Sequence, residues 1–260
     1  PCSARKRRSA FSQRAAQLLG MVRAETTIVG YPVILREMPD LLPEIDTRAL
    51  VVVVNQMASR LHGGGDPQYD PEALRAARAA GAALVHVSTD YVFDGRTEAP
   101  CTPDTPVDPR SVYGASKAAG EIAVRSANPR HAILRTAWVV SPHRGNFVKT
   151  MLRLSNERER LSVVDDQHGN PTSAGDLAAG LAAIAQALAR DPTAPTGTHH
   201  FVNAGATTWC GFARAIVAGA ARRGGRSVPV DAIPTSAFPT PARRPAHSVL
   251  STASLTAAYG

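Results

Sequence analysis

Tyr113 and Lys117 stand four residues apart in "SVYGASKAAGEIAVRSA" (111–127), a stretch patterned as a helix. Residues at i and i+4 share one helix face, with Cβ atoms roughly 5–6 Å apart. An ammonium at that spacing favours a phenolate over a phenol. It lowers a tyrosine from its ordinary value of about 10 and makes it a usable proton donor near neutral pH. A second polar group ends the apolar run of "LVHVSTDYVFDG" (84–95): Ser88, Thr89 and Asp90. A hydroxyl at such a strand end is able to bond the same substrate oxygen that Tyr113 protonates. The competing reading of Thr89 and Asp90 is a cap on the following turn.

Other polar residues read as structural. Glu121 lies one turn beyond Lys117 and reads as half of a helix-face ion pair. His86 falls inside an apolar run and reads as a core histidine, whereas His199 and His200 fall on opposite faces of a strand and make a poor metal pair. Asp165, Asp166 and Gln167 fit a turn cap better than a divalent-ion site.

The elements that must position these groups alternate. "ALVVVVN" (49–55) and "ALVHVST" (83–89) are β-branched runs of the kind buried on both faces. Between them "DPEALRAARAAG" (70–81) has Asp70 as N-cap, Pro71 in the first turn and Gly81 as stop, which predicts a helix. The helix 111–127 and a strand 131–140 follow. Strand–helix–strand order with short links predicts a parallel sheet covered by helices on both faces, with ligands at the carboxyl ends of its strands. Thr89 and Asp90 lie at such an end. Further on, the pattern predicts helices over 146–161, 173–190 and 208–224 and strands over 161–167 and 198–205. The stretch 233–250 is too rich in proline for a central strand or helix.

The totals narrow the class. The 260 residues, 44% of them hydrophobic, suffice for one large core or a core with a small lobe. No run of 18 apolar residues is present, so no membrane partner is expected, and no signal peptide is read at the start. Three cysteines without metal-like spacing fit a reducing cytoplasm. The net charge of +8 and the basic first stretch admit a nucleic-acid arm, yet arginine is spread throughout, so no nucleic-acid partner is expected. A positive surface equally suits a phosphate-bearing small substrate.

The blocks "HVSTDYVFDG", "YGASKAAGE", "ILRTAWVVS", "GNFVKTMLRL", "DDQHGNPTSAGDLA" and "PARRPAHSVLST" follow one another over about residues 83–256. Together they resemble the dTDP-4-dehydrorhamnose reductase family of extended short-chain dehydrogenase/reductases. The resemblance implies an α/β fold: a Rossmann-like doubly wound parallel sheet with a smaller C-terminal α+β substrate lobe. It implies reduction of the 4-keto group of a dTDP-linked 6-deoxyhexose by NADPH or NADH, giving dTDP-L-rhamnose. On that basis Tyr113 is the proton donor, Lys117 binds the nicotinamide ribose and tunes Tyr113, and Thr89 completes the triad. Thr89, Asp90 and Trp138 contact the sugar, although lobe packing is an equal use for Trp138. Asn146 and Phe147 start a helix near the diphosphate, and Arg243 and Arg244 are diphosphate or base contacts. A homodimer is a compatible assembly. A divalent ion, used by some relatives at a subunit contact, has no motif here.

The sequence departs from that pattern at its start. The family's glycine-rich turn is not supplied by Gly20, Gly30 or Gly63-Gly64-Gly65, whose spacing is wrong for a cradle around pyrophosphate. The expected organisation is an unplaced segment 1–48, altered or truncated relative to the family. A cofactor domain over 49–140 follows, to which parts of 161–205 return, and then a substrate lobe over 141–260. The end at "LTAAYG" reads as short of a last helix. Two alternatives remain in view: a deoxysugar ketoreductase of secondary metabolism, and a non-catalytic nucleotide-sugar-binding relative.

Overall fold

The computed structural model describes residues 52–54, 74, 78, 81–240 and 242–260. The expectations for 1–48, the flanks of 49–55 and most of helix 70–81 lie outside the described residues. Within that last stretch Leu74 and Arg78 are helical, and Gly81 takes φ +72°, the left-handed stop its type permits.

Four strands form one parallel sheet in the order β1-β2-β3-β8: β1 (Val52–Val54), β2 (Leu84–Thr89), β3 (His131–Thr136) and β8 (Gly197–His200). The register sets Leu84 beside His131 and Thr89 beside Thr136, so β2 and β3 end level. Every residue of β2 is buried, as its apolar run predicts. Period-2 alternation then divides the strands between two helices. Leu84 and Ile133 face α1 (Val112–Ala127) through Val124. Val85, Val87, Ala132 and Leu134 face α3 (Ala174–Arg190). On α3 the stripe Leu177, Leu181, Ile184 and Leu188 is fully buried; each such side chain stabilises the fold by about 1.5–3 kcal/mol.

A second cluster forms the smaller lobe. The parallel pair β5 (Leu161–Val164) and β10 (Val230–Ile233) packs against α2 (Phe147–Glu157) and α4 (Trp209–Ala221), around Met151, Cys210, Ala213 and Val217. Four two-residue strands join the parts: β4 (Val139–Val140) pairs β7 (Thr172–Ser173), and β6 (His168–Gly169) pairs β9 (Thr207–Thr208). A last helix, α5 (Ala253–Tyr259), closes the chain; periodicity did not predict it.

The predicted strand 131–140 is broken. Trp138 has φ +47°, a left-handed conformation costly for a bulky residue. Its ring is stacked on Trp209 at 3.6 Å between centroids, and its carbonyl accepts from the Thr172 amide at 3.1 Å. Packing therefore outweighs local backbone preference, and the chain turns from the sheet into the lobe at this residue. Helix 146–161 also ends early, at Glu157.

The proline-rich stretch becomes a strap. After the short 3-10 turn Thr235–Ala237 it runs back along β6 and the segment that follows β2. Its amides donate to Gly95 (from His247, 3.1 Å), His168 (from Ser248, 2.9 Å) and Cys101 (from Ser251, 2.9 Å). Among the described residues, no helix is long and apolar enough to cross a membrane.

Candidate active site

The strand end and the helix expected to carry chemistry do meet. Beyond Thr89 the chain makes a 3-10 turn, Asp90–Val92, capped by the Thr89 hydroxyl, which accepts from the Tyr91 amide at 3.3 Å. α1 begins against that turn. Its N-cap is Ser111, whose hydroxyl accepts from the Gly114 amide at 3.1 Å. Gly114 is required by the approach: a Cβ there would lie 2.1 Å from the Tyr91 carbonyl oxygen and 3.0 Å from Pro109 Cβ. A Gly114→Ala chain is expected to lose about 1–3 kcal/mol. Urea unfolding measures that loss; a stability equal to wild type would show that α1 shifts freely.

Tyr113 is half-buried, and its ring meets the Tyr91 ring edge-on at 5.6 Å. Lys117, one turn further, is fully buried and donates from Nζ to the Val87 carbonyl oxygen at 2.5 Å. Burial pushes the Lys117 ammonium down to about 8, against the opposing pull of Glu121. Tyr91 goes the other way, pushed up to about 12 by burial and by the Asp90 charge, with the Arg244 charge opposing.

Glu121 makes the helix-face ion pair expected, with Arg125 four residues on, and a second, fully buried pair beyond it. Its carboxylate is fully buried and takes a bidentate bond from Arg135 of β3, from Nε at 2.9 Å and Nη2 at 2.8 Å. Arg125 adds a third bond at 2.8 Å. Burial alone would raise the Glu121 carboxyl, but Arg135 outweighs it and holds the group below the usual carboxylate range. The Arg135 guanidinium also lies over the Phe93 ring, 4.9 Å from its centroid, and donates to the Pro103 carbonyl. α1 is thus fixed to the sheet by two buried charges, Lys117 and Glu121.

Asp90 is 2% exposed. Its Oδ1 accepts from the Thr89 hydroxyl at 2.9 Å, so both readings of Thr89 and Asp90 must start from a cap that is present. Arg243 and Arg244 are exposed and line two openings. One is a crevice with Tyr91 and Ser111, at the start of α1; the other is a groove of about 650 Å³ that also includes Gln167, Thr235 and His247. Asn146 and Phe147 line neither. Asn146 caps α2, accepting from the Lys149 amide at 3.2 Å and donating to the Ser141 carbonyl at 2.6 Å. The Phe147 ring packs on Trp209 and Phe212. Trp138 is half-buried, with Trp209 on one face and Gly169 so close that a Cβ there would lie 2.5 Å from the indole.

The acidic run does not cap its own turn but ties distant segments together. Asp166 accepts from the Thr235 amide at 2.9 Å, and Asp165 accepts from the Thr208 hydroxyl. No group of three potential metal ligands occurs among the described residues. His86 is fully buried. His199 lies edge-on to Tyr259, while His200 lies edge-on to Phe93 and bonds the Cys101 carbonyl, which places the pair on opposite faces.

The parallel sheet with its covering helices defines the class, a Rossmann-like α/β fold. Within that class comparison is specific: residues 71–260 match the RmlD substrate binding domain, and the chain belongs to this family. It is 43% identical over 186 residues to the dTDP-4-dehydrorhamnose reductase of Sinorhizobium fredii, covering 71% of this chain and 63% of that protein. The enzyme of the same name from Burkholderia thailandensis is 38% identical over 258 residues, covering 94% of this chain and 85% of that one. Among solved structures, the Bacillus anthracis dTDP-4-dehydrorhamnose reductase in complex with NADP superposes with a TM-score of 0.65 at 36% identity, covering 72% of this chain and 63% of that one. The chain thus spans under two thirds of the length of several relatives it matches.

Proposed function

We propose that the chain carries the reducing and sugar-binding half of an NAD(P)H-dependent reductase acting on the 4-keto group of a dTDP-4-dehydro-6-deoxyhexose, with dTDP-4-dehydrorhamnose as the substrate. The observation that carries this reading is the buried Lys117 one turn from Tyr113, on a helix locked against the end of β2. A lysine is expensive to bury and is tolerated where chemistry needs it. When bound, a nicotinamide cofactor would supply the hydride for C4 of the sugar, and Tyr113 is the group that would give its proton to the C4 oxygen. The ammonium of Lys117 is fixed by the Val87 carbonyl, and its role in this reading is to bond the cofactor's ribose and sustain the Tyr113 proton transfer. Thr89 and Asp90 bound the sugar side. Arg243 and Arg244, exposed in the groove, offer guanidinium to the diphosphate, and the free edge of Trp138 is a contact for the sugar.

Titration with NADPH, followed by fluorescence, tests the reading, with a Lys117→Met chain alongside. Saturable binding by the wild type, weakened at least tenfold in the variant, is the expected result. The sign of the stability change adds a control. Lys117 folds with a lowered pKa, so below about 8 it carries a burial cost that is relieved as pH rises toward 10.5. Lys117→Met is therefore expected to raise Tm at pH 7 while losing cofactor. No wild-type binding at millimolar NADPH would instead support a non-catalytic nucleotide-sugar-binding relative.

A further inference from the structure

We propose that Asp90 is a positioning residue: by holding or releasing a proton on the oxygen facing Thr89, it decides whether the Thr89 hydroxyl donates to the substrate oxygen. This inference rests on the reductase reading and adds to it a control of the strand-end hydroxyl.

A threonine hydroxyl has one proton and two lone pairs. In the structure the Thr89 proton points to Asp90 Oδ1 at 2.9 Å, and one lone pair takes the Tyr91 amide. So arranged, the hydroxyl has only an acceptor left. A carbonyl or alkoxide oxygen needs donors, so Thr89 cannot assist Tyr113 until its proton is freed.

Asp90 is built to free it. The side chain is buried at the strand end, and Asp90 Oδ2 makes no hydrogen bond of normal geometry, the Ser248 hydroxyl standing near the carboxyl. The nearby Ser248 hydroxyl, carried by the strap, donates to the His168 carbonyl at 3.2 Å. A buried carboxylate charge is costly, and protonation relieves the cost. Burial accordingly pushes Asp90 up to about 6, against the Ser248 and Thr89 hydroxyls. When Asp90 takes a proton from solvent on Oδ1, that O–H donates to Thr89 Oγ1. Both lone pairs of the hydroxyl are then engaged, and its proton turns outward to the substrate oxygen. Release of the Asp90 proton reverses the arrangement. No other bond is made or broken.

The groups that face this carboxyl are Tyr91 beside it and the Cys101 thiol, both of which feel its charge. Around the turn stand Lys117 and Glu121 of α1, Arg135 of β3 and His200 of β8. Burial pushes His200 down to about 4 and Cys101 up to about 11, so neither changes charge near pH 6.

The test has two parts. The first is a carbon-13 NMR titration of the Asp90 carboxyl, assigned by its loss in Asp90→Asn, in wild type and in Thr89→Val. The expected wild-type midpoint is near 6. Thr89→Val should move it up by about one pH unit, because a bond that favours the carboxylate is lost. An unmoved midpoint overturns the coupling, whether or not the chain turns over substrate. The second part is the pH profile of kcat with NADPH and dTDP-4-dehydrorhamnose. Wild type should lose rate with the Asp90 midpoint as pH rises, and Asp90→Asn and Thr89→Val should both lack that limb. Persistence of the limb in Asp90→Asn overturns the proposal, since a merely structural aspartate would lower Tm and leave the profile alone. A wild-type chain without turnover removes the reductase reading and the substrate clause with it; the carboxyl titration still decides the Thr89–Asp90 coupling.

Discussion

Tyr113→Phe is expected to reduce dTDP-4-dehydrorhamnose roughly 100- to 10,000-fold more slowly than wild type, the range a single general acid supplies. The substitution removes one oxygen and keeps the ring. The edge-on contact with Tyr91 at 5.6 Å is retained, as is the bond from the Ser116 hydroxyl to the Tyr113 carbonyl at 2.8 Å. Tm and the Kd for NADPH should therefore stay close to wild type. Stopped-flow oxidation of NADPH separates the outcomes. A slowed chemical step with intact cofactor binding assigns the proton to Tyr113. A loss below tenfold would pass the role to another donor, and equal losses of rate and Tm would make the residue a packing element.

The largest effect on stability is expected at Arg135. Arg135→Ala leaves the Glu121 carboxylate inside the protein with Arg125, itself 38% exposed, as its remaining cation and the Ser88 hydroxyl nearby. Breaking a buried pair from one side costs about 3–5 kcal/mol. The pH dependence has a definite sign. Glu121 has a lowered folded pKa, so the pair stabilises the wild type above about 4.5 and that contribution is lost as pH falls below it. The gap between wild type and variant should be widest near neutral pH and narrow in acid. Replacing both partners, as Glu121→Leu with Arg135→Met, should recover much of the loss, because two apolar side chains leave no buried charge. Urea midpoints at pH 4 and pH 7 check both points. A gap that does not change with pH would mean that lost packing over Phe93, rather than charge, is responsible.

Much of the sheet was legible because its signals are local. The β-branched run over 83–89 could be buried only on both faces, and Gly81 could only end a helix. The Tyr113–Lys117 pair was legible from helical spacing alone. What escaped depends on distant partners. Arg135 sat in full view as a charge inside "HAILRTAW", yet its partner is 14 residues away on another element, and nothing local distinguishes it from an exposed edge. The same limit hid the break at Trp138: left-handed backbone at a tryptophan is imposed by the stack on Trp209, not by the neighbouring residues. Gly114 looked like one small residue among several, and only the Tyr91 carbonyl across the gap shows why it must be glycine. The two-residue strands were too short to carry any period. Ser248 was readable as part of a block and not as a neighbour of Asp90.

The strap also bears on how the molecule is assembled. Its amides close on Gly95, Cys101 and His168 only after the chain has passed through the sheet, the lobe and back. Contacts of such separation repay their loop-closure entropy late, whereas β2, α1 and β3 are neighbours in sequence and dock early. On a ribosome, the sheet would stand with Thr89 and Asp90 open to water until the strap emerged. The strap that carries Ser248 against Asp90 thus arrives after the strand and the helix it covers. Any partner that competes for the strap would act on the site's proton chemistry without touching the strand that carries it.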